Sequence, residues 1–404
     1  MESLENGCSI SGGESEHSLA WFTAKSAKYS QRPLRISKSD FINEINDLYF
    51  GFIDSTVISI FCRRTNQTII LDPLTHGLVG ATASKSAAEQ KKLRPAAITG
   101  FFAAMLADLD YYIHFPSDPL FNIEIHRQFT HSLIFIPVGA LVAAALLWWF
   151  MKKQLSFREL YLYSFLGYAT SGLLDAFTSY GTQLLWPFSD TRFAWNYISV
   201  VDPVVTAGLI GLLAVAWLKK EKLYAWLAGG WLIFFLLFGS IQHNRAASAA
   251  ENLAAERNHN VEKLVAKPTI GNQRLWRANY IYDGRIYSDA VRTGIFSGIT
   301  IYEGESAPRV IIEEEFAEFE GSTLYNDLLR FRKLSENYLI RHPEQPDIIG
   351  DARYSMLPTT LVPLWGVEAD TTMPDRHLPF LYFRDTGEEV RKEFLDMLMG
   401  RNID

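Results

Sequence analysis

The chain has 404 residues, of which 48% are hydrophobic and 21% are charged, and its mean hydropathy is +0.02. A formal net charge of −7 gives no overall basic field, so nucleic acid is not an expected partner. The two cysteines, Cys8 and Cys62, lie near the N-terminus. This excludes a disulfide framework in the rest of the chain and leaves His, Asp and Glu as its metal ligands.

Residues 1–70 form a poorly defined N-terminal extension. They begin with a polar stretch that lacks the basic start and the apolar core of a signal peptide. The later run "YFGFIDSTVISIFC" is apolar, but it is shorter than the ~20 residues that a membrane crossing needs, and Asp54 interrupts it. At "LDPLTHG" the pattern changes, because Asp72 before Pro73 predicts the start of a helix.

Residues 71–241 are predicted to form a helical membrane domain with five crossings, which makes the chain mainly α. The apolar segments begin at Ala96, Ser132, Leu160, Val204 and Leu223. The second and the fifth are long enough to span a bilayer, and the third spans one only if Asp175 lies near its end. The first is short and ends in acids, so we expect it to be buried among other helices.

The charges of the loops predict an orientation. The segments "KKLR", "KKQLSFR" and "KKEK" carry nine Lys or Arg residues, whereas the alternate loops, 114–131 and 179–202, carry only Arg127 and Arg192. The positive-inside rule places the basic loops in the cytoplasm. We therefore expect a multi-pass protein of the bacterial plasma membrane, embedded in the lipid bilayer, with its C-terminal part outside the cytoplasm.

Residues 242–404 are predicted to form an α+β extracytoplasmic domain. The segment "AASAAENLAAERNHNVEKLV" has the composition of a helix. The segment "ANYIYDGRIYSDAVRTGIF" is typical of two strands, joined at Asp283–Gly284 by a dipeptide that favours hairpin turns. The segment "GDARYSMLPTTLVPLWGVEAD" is distinctive, but no chemistry follows from its residues.

On this topology the polar residues of the membrane domain gather at its outer face. They are His76, Asp108, Asp110, His126, His131, Asp175 and Asp202. Since the topology rests on Lys and Arg alone, the clustering of His and Asp is independent of it. Histidine nitrogen with aspartate oxygen is the usual ligand mixture of zinc in hydrolases, and a cation would offset the cost of carboxylates near the bilayer. We therefore expect a divalent metal ion, most plausibly zinc, as cofactor.

Several of these residues also have a simpler interpretation. His76 is either a ligand or a histidine at a helix terminus, and Asp202 before a proline is most simply a helix cap. Asp175 is either a ligand or a buried acid bonded to the hydroxyl of Ser171, Thr178 or Ser179. Asp108 and Asp110 would point to nearly opposite sides of a regular helix, so they can share a site only if the helix ends there.

Four motifs in order, "LDPLTHGLVGATA", "ADLDYYIH", "HRQFTHS" and "GLLDAFTSYGTQLLWPFSDTRFAWNYISVVDP", resemble the YdjM-like family of bacterial membrane-bound, metal-dependent hydrolases. The resemblance extends from Asp72 to about Ile241 and includes part of the tail. The family is distantly similar to zinc-dependent phospholipases C and single-strand nucleases. The resemblance implies metal ligands at His76, Asp110, His126, His131 and Asp175, with Asp108 in support.

Two positions depart from the pattern that the resemblance implies. Ser171 stands where a histidine is expected, one helical turn before Asp175, so a ligand lost there would weaken the site or abolish activity. Leu71 stands in place of the methionine of "MDPLTHG". This suggests that translation starts at Leu71 and that residues 1–70 are an over-extended gene model.

These features favour a metal-dependent hydrolase at the outer membrane face that acts on a phosphoester or a lipid-derived small molecule. Asp108 or Asp175 would serve as general base, and Arg127 would hold an anionic group or simply meet lipid phosphates. The alternative is a non-catalytic membrane protein with a structural or vestigial metal site, which the serine at position 171 favours. Ion or proton transport is a weaker alternative, since the acids lie at one edge of the bilayer rather than along a path across it.

Overall fold

The computed structural model describes the backbone of residues 68–295, 298–384 and 387–403, with side chains from residue 73 onward. Residues 1–67 lie outside the described residues, so the N-terminal extension and the suggested start at Leu71 stay predictions. The predicted helix start at Asp72 is wrong, because the helix already includes Thr68. Pro73 lies inside this helix, where it removes one backbone hydrogen bond.

Seven α-helices of the described chain precede the C-terminal strands. They are α1 (Thr68–Ala87), α2 (Leu93–Ala107), α3 (Pro119–Ile125), α4 (Ile136–Met151), α5 (Phe157–Phe177), α6 (Pro203–Lys219) and α7 (Leu223–Glu256). Ser156 and Glu159 form a capping box at the start of α5. Asp118 caps the first turn of α3 in the same way that Asp202 caps α6. The helical prediction for this region is confirmed.

Helices α1, α2 and α5 cross at glycines. A Cβ atom at Gly80 or at Gly167 would lie 2.4 Å from the carbonyl oxygen of Gly100, so the three backbones can approach this closely only without side chains. The crossing brings the C-terminal ends of α2 and α5 beside the first half of α1. The acids and the first histidine of the predicted cluster lie on these parts of the helices.

Two described helical stretches are long and apolar enough to cross a membrane. They are Leu133–Met151 and Leu223–Glu256, whereas α6 is apolar but shorter. Trp149, Phe150 and Phe234 are among the large apolar side chains that these stretches expose. Such a surface fits contact with lipid, while the full count of five crossings stays a prediction.

The three basic loops lie together at one end of the helices. Lys92, just before α2, forms an ion pair with Glu159 in the first turn of α5. The side chain of Gln90 donates a hydrogen bond to the carbonyl of Lys220, between α6 and α7 (2.6 Å). The connections that carry the nine counted Lys and Arg residues therefore share one end, as the predicted topology requires.

The C-terminal part contains two antiparallel sheets. Its strands are β1 (Lys263–Pro268), β2 (Leu275–Tyr282), β3 (Arg285–Thr293), β4 (Ile299–Tyr302), β5 (Ser306–Pro308), β6 (Leu339–Arg341), β7 (Ile348–Asp351), β8 (Trp365–Glu368) and β9 (Phe380–Tyr382), and its helices are α8 (Ile312–Glu315), α9 (Thr323–Leu334) and α10 (Glu388–Met399). One sheet has the order β1-β2-β3-β4 with β5 paired to β3, and the other has the order β6-β7-β8-β9. Asp283 and Gly284, with φ of 48° and 67°, form the predicted hairpin turn between β2 and β3. The α+β prediction is confirmed.

Helix α7 joins the two parts of the chain without a break. The predicted boundary between residues 241 and 242 falls inside this helix. Beyond it, Ala246 and Ala250 of α7 pack against Trp276 and Val291 of the first sheet. The division into domains 71–241 and 242–404 stays a prediction, since both parts belong to one compact unit.

Helix α3 anchors the loop 114–131 to the C-terminal part. Leu120 is fully buried in the apolar core around α9, which includes Leu328. Arg330 of α9 makes two hydrogen bonds to Glu124 (2.7 and 3.0 Å) and an ion pair with Asp118 (3.0 Å). Apolar burial and charged contacts therefore fix the position of this loop together.

A second contact joins β1 to the loop that follows α5. The buried Nζ atom of Lys267 donates hydrogen bonds to the carbonyl of Ser179 (2.7 Å) and to Oδ1 of Asn196 (3.1 Å). Burial, together with the nearby Arg353 guanidinium, lowers the pKa of Lys267 to about 7. The loop 179–202 is thus held by a lysine whose charge is costly in the folded state.

We expect the stability of the protein to rise as the pH increases from about 7 to 10.5, because the folded chain releases the Lys267 proton near pH 7 while an unfolded lysine keeps it up to its ordinary pKa of 10.5. The slope should reach at most about 1.4 kcal/mol per pH unit. Thermal unfolding at several pH values should show this slope in the wild type and in Lys153→Met, an exposed control in the connection between α4 and α5. An unchanged slope in Lys267→Met would contradict the prediction.

Candidate metal centre

Three helices bring three ligand-type side chains together. His76 of α1, Asp108 after α2 and Asp175 of α5 each offer one ligand atom, and these atoms lie within 4.8 Å of one another. His76 and Asp175 are fully buried. Nε2 of His76 lies 3.2 Å from Oδ1 of Asp175. His76 lies in the interior of α1 rather than at a helix terminus.

His131 lies beside this group. Its Nε2 atom is 3.0 Å from Oδ2 of Asp175 and 3.3 Å from Oδ1 of Asp108. On the other side of the ring, Thr130 donates its hydroxyl hydrogen to Asp110 (2.5 Å), so its oxygen can accept one from Nδ1 of His131 (2.9 Å). A hydrogen on Nδ1 leaves the lone pair of the neutral ring on Nε2, directed at the acids.

Asp110 organises the loop around the group. Its Oδ2 atom accepts from the backbone N–H of Arg127 (2.9 Å), and its Oδ1 atom lies 2.8 Å from Nδ1 of His126. The side chain of His126 is 32% exposed, and its ring packs edge-on against Tyr111 (5.8 Å). Asp110 and His126 therefore lie at the edge of the group, whereas the resemblance implies that they are ligands.

Asp108, to which the resemblance gives a supporting role, lies within the group together with Asp175. Helix α2 ends at Ala107, and Asp108–Tyr112 form a 3-10 turn. The helix therefore ends just before the two acids. This was the predicted condition for residues two positions apart to lie in one site. The turn directs Asp108 towards α1 and α5 and Asp110 towards the loop.

Arg127 lies on the side of the group nearest the end of α5. Its backbone is left-handed (φ 58°), and its carbonyl accepts hydrogen bonds from the backbone of Gln183 (3.1 Å) and the hydroxyl of Thr182 (3.0 Å). These bonds hold a conformation that a residue with a Cβ atom rarely adopts. The buried guanidinium lies 3.0 Å from Oδ1 of Asp175. It is therefore placed to neutralise this acid, and its predicted contact with a substrate anion stays a prediction.

Negative charge exceeds positive charge in the group. Among the described residues, the guanidinium of Arg127 is the one within ion-pair distance of the carboxylates of Asp108, Asp110 and Asp175, and it pairs with Asp175. Burial would lower the pKa of His131, but hydrogen bonds to the three acids raise it well above its usual value. Burial would likewise raise the pKa of Asp110, yet the two loop histidines hold it well below its usual range. The group requires a cation, which either a proton on His131 or a metal ion can supply.

The donor atoms suit a divalent metal ion. His76, His131, Asp108 and Asp175 together offer the mixture of imidazole nitrogen and carboxylate oxygen that zinc commonly takes. Oδ2 of Asp108 is buried and, within the described residues, has no hydrogen-bond partner. The residues present therefore fit the predicted ion, while zinc itself stays a prediction.

Asp202 of the predicted cluster has a structural role, and so has Ser171, which stands where a histidine was expected. Ser171 is fully buried on α5, and its hydroxyl donates to the carbonyl of Ala104 (2.8 Å). Asp202 accepts hydrogen bonds from two N–H groups in the first turn of α6 (3.0 and 3.1 Å), which confirms it as a cap. The three hydroxyls expected to bond the carboxylate of Asp175 do not do so. Those of Ser171 and Thr178 donate to backbone carbonyls (2.8 Å each), and that of Ser179 has no hydrogen-bond partner within the described residues.

A second group with ligand spacing consists of Asp118, Asp327 and His377. Arg330 already lies among them, at 2.7 Å from Asp327 and 3.1 Å from Asp118. Nδ1 of His377 lies 2.9 Å from the second oxygen of Asp327. The guanidinium therefore takes the place that a metal ion would have, and the group is an ion-pair cluster between α3 and the C-terminal part.

Two residues act on the centre from nearby without a signal in the sequence that marks them. Thr130 links Asp110 to His131, although it lies inside "HRQFTHS". Tyr354 donates its hydroxyl to the carbonyl of Ser179 (2.6 Å), four residues after the acid of α5. This second contact joins residues 175 positions apart, and no local pattern in the sequence could reveal it.

The fold and the centre define a class, a helical membrane protein with a buried His/Asp group and an α+β C-terminal part. Residues 71–246 match the family model described as YdjM inner membrane protein. This helical region is similar to the YdjM family, which confirms the predicted resemblance. The family supports a location in the membrane, while the distant similarity to phospholipases C stays a prediction.

YfhP, a protein of Bacillus subtilis described as uncharacterized, is 28% identical to the chain over 123 residues. The alignment covers 30% of this chain and 34% of YfhP, so the chain matches about a third of the length of this relative. No solved structure matches the chain. The family match therefore concerns the helical region, which carries the candidate metal centre.

We expect Ser171→Ala to be less stable than Ser164→Ala. Both serines are fully buried on α5, but the Ser171 hydroxyl donates a hydrogen bond, whereas that of Ser164 has no partner within the described residues. Losing the first bond should cost about 1 kcal/mol of unfolding free energy, and losing the second hydroxyl should be near neutral. Thermal unfolding of the purified full chain in detergent measures both. Equal unfolding midpoints would contradict a structural role for Ser171.

Proposed function

We propose that the protein is a membrane-bound, metal-dependent hydrolase that acts on a phosphoester or a lipid-derived substrate at the outer face of the plasma membrane. The observation that carries this proposal is the buried convergence of two imidazoles and two carboxylates, His76, His131, Asp108 and Asp175. Buried acids in this number are costly unless a cation accompanies them. A mixed His/Asp group of this kind is typical of hydrolytic zinc sites.

These four residues would hold the ion. When bound, a zinc ion lowers the pKa of water to near neutral and polarises a phosphoryl oxygen. Thr130 and Asp110 would fix the ring of His131 so that Nε2 faces the ion. Arg127 would hold Asp175 through its ion pair.

Asp108 is the better candidate for accepting a proton from the attacking water. Its side chain is 11% exposed, whereas that of Asp175 is fully buried and paired with Arg127. His126 is also partly exposed and contacts Asp110. A substrate would therefore enter between the 3-10 turn after α2 and the loop 126–131.

A substrate near the lipid headgroups is supported by the place of the centre along the helices. His131 is followed directly by the membrane-length stretch Leu133–Met151, whose first residues, Leu133 and Ile134, are exposed. The centre would thus lie at the edge of the hydrocarbon layer, within reach of headgroup phosphates. Five crossings, with the basic loops in the cytoplasm, would place the centre and the C-terminal part outside.

The alternative, a non-catalytic protein with a structural or vestigial metal site, has an observation in its favour. Arg127 already occupies one side of Asp175 and is itself buried, so it offers little contact to an incoming anion. The serine at position 171 adds no donor to the centre, because its hydroxyl is bonded to a backbone carbonyl. Metal binding without turnover would favour this alternative.

Metal analysis of the full chain, beside His131→Ala and His126→Ala, tests the centre. We expect near-stoichiometric zinc or manganese in the wild type, its loss in His131→Ala, and a smaller loss in His126→Ala, because His126 lies at the edge of the group. Hydrolysis of bis(p-nitrophenyl) phosphate should follow the metal content. Absence of metal from the wild type would end the hydrolase proposal, and metal without turnover would select the alternative.

Cysteine labelling tests the orientation. In a chain with Cys8 and Cys62 replaced by serine, Thr191→Cys and Lys153→Cys place single thiols at exposed sites on opposite predicted sides. A membrane-impermeant maleimide added to intact bacteria should label the first and not the second, and both should react after permeabilisation. Labelling of Lys153→Cys alone in intact cells would invert the topology.

A further inference from the structure

The C-terminal segment from Gly350 to Asp370, distinctive in sequence, packs close to the candidate metal centre. It is anchored in the first sheet by Arg277, which donates to the carbonyl of Ala352 (2.7 and 3.1 Å) and to that of Leu357 (2.9 Å). Arg353 is buried and makes hydrogen bonds to Asp351 (2.8 to 3.3 Å). The segment is therefore fixed before its next residue, Tyr354.

Tyr354 reaches from this segment to the loop behind α5. Its hydroxyl donates to the carbonyl of Ser179 (2.6 Å), the same oxygen that accepts from Lys267 (2.7 Å). Its ring stacks on Tyr180 at 5.2 Å, with 17° between the planes. Burial raises the pKa of Tyr354, so the hydroxyl keeps its hydrogen across the ordinary pH range.

The loop that Tyr354 holds is bonded directly to the centre. Thr178 donates its backbone N–H (3.0 Å) and its hydroxyl (2.8 Å) to the carbonyl of Asp175. The guanidinium of Arg127 lies 3.3 Å from the Thr178 hydroxyl, 3.0 Å from the Asp175 carboxylate and 5.9 Å from the centre of the Tyr180 ring. A shift of residues 178–180 would therefore move both the acid and its guanidinium partner.

We propose that Tyr354 is a positioning residue of the metal centre, and that the C-terminal part completes this centre by holding the loop after Asp175. The proposal rests on the metal binding proposed above. It gives the segment from Gly350 to Asp370 a role, because the hydroxyl and the ring of Tyr354 fix residues 179 and 180 from outside the helices. Tyr354 acts through the loop and is not itself a ligand.

The test compares Tyr354→Phe with Tyr302→Phe in the purified full chain. The Tyr302 hydroxyl also donates to a backbone carbonyl, that of Arg401 (3.0 Å), but within the C-terminal part and away from the loop. Both variants lose one such bond, so both should unfold at similar temperatures. Calorimetric titration with Zn²⁺ should show an affinity about five- to tenfold weaker in Tyr354→Phe and unchanged in Tyr302→Phe.

Hydrogen exchange of the metal-free proteins separates this proposal from the metal binding on which it rests. Amides of residues 178–183 should exchange faster in Tyr354→Phe than in the wild type and in Tyr302→Phe. Wild-type exchange there would overturn the proposal, and so would a zinc affinity equal to that of the wild type. A wild type that binds no zinc would remove the proposed function, while the exchange rates would still decide whether Tyr354 holds the loop.

Discussion

More negative than positive charge is buried where α1, α2 and α5 meet, and the surrounding structure must compensate for it. Asp108, Asp110 and Asp175 are taken out of water together, and among the described residues only the guanidinium of Arg127 lies within ion-pair distance of them. Each carboxylate removed from water costs several kcal/mol unless it is paired. The left-handed backbone at Arg127 and the hydroxyl of Thr130 both support these acids. This explains why the loop 126–131 makes so many hydrogen bonds.

The centre is built in two layers with different physical origins. The inner layer comes from helices that approach closely at Gly80, Gly100 and Gly167, because no side chain separates their backbones. The outer layer comes from contacts with the C-terminal part, through Arg330 on one loop and Tyr354 on the other. Close helix packing therefore places the acids, and the C-terminal part fixes the loops that orient them.

Much of the inner layer could be predicted from the sequence. Lys and Arg in alternate loops set the ends of the helices, and this is enough to bring His76, Asp108, His131 and Asp175 to one end. The different positions of Asp108 and Asp110 could not be predicted, because a 3-10 turn, rather than residue type, directs their side chains. The outer layer was beyond prediction, since its contacts join residues 175 to 206 positions apart.

Helix α7 has a mechanical consequence. Its 34 residues correspond to about 51 Å at 1.5 Å per residue, whereas the hydrocarbon core of a bilayer is about 30 Å thick. The surplus of about 20 Å is packed against the first sheet and contains no proline that would act as a hinge. The helix is thus stiff along its length. A change in its tilt, such as a thinner bilayer imposes, would displace the C-terminal part that holds the loops of the centre.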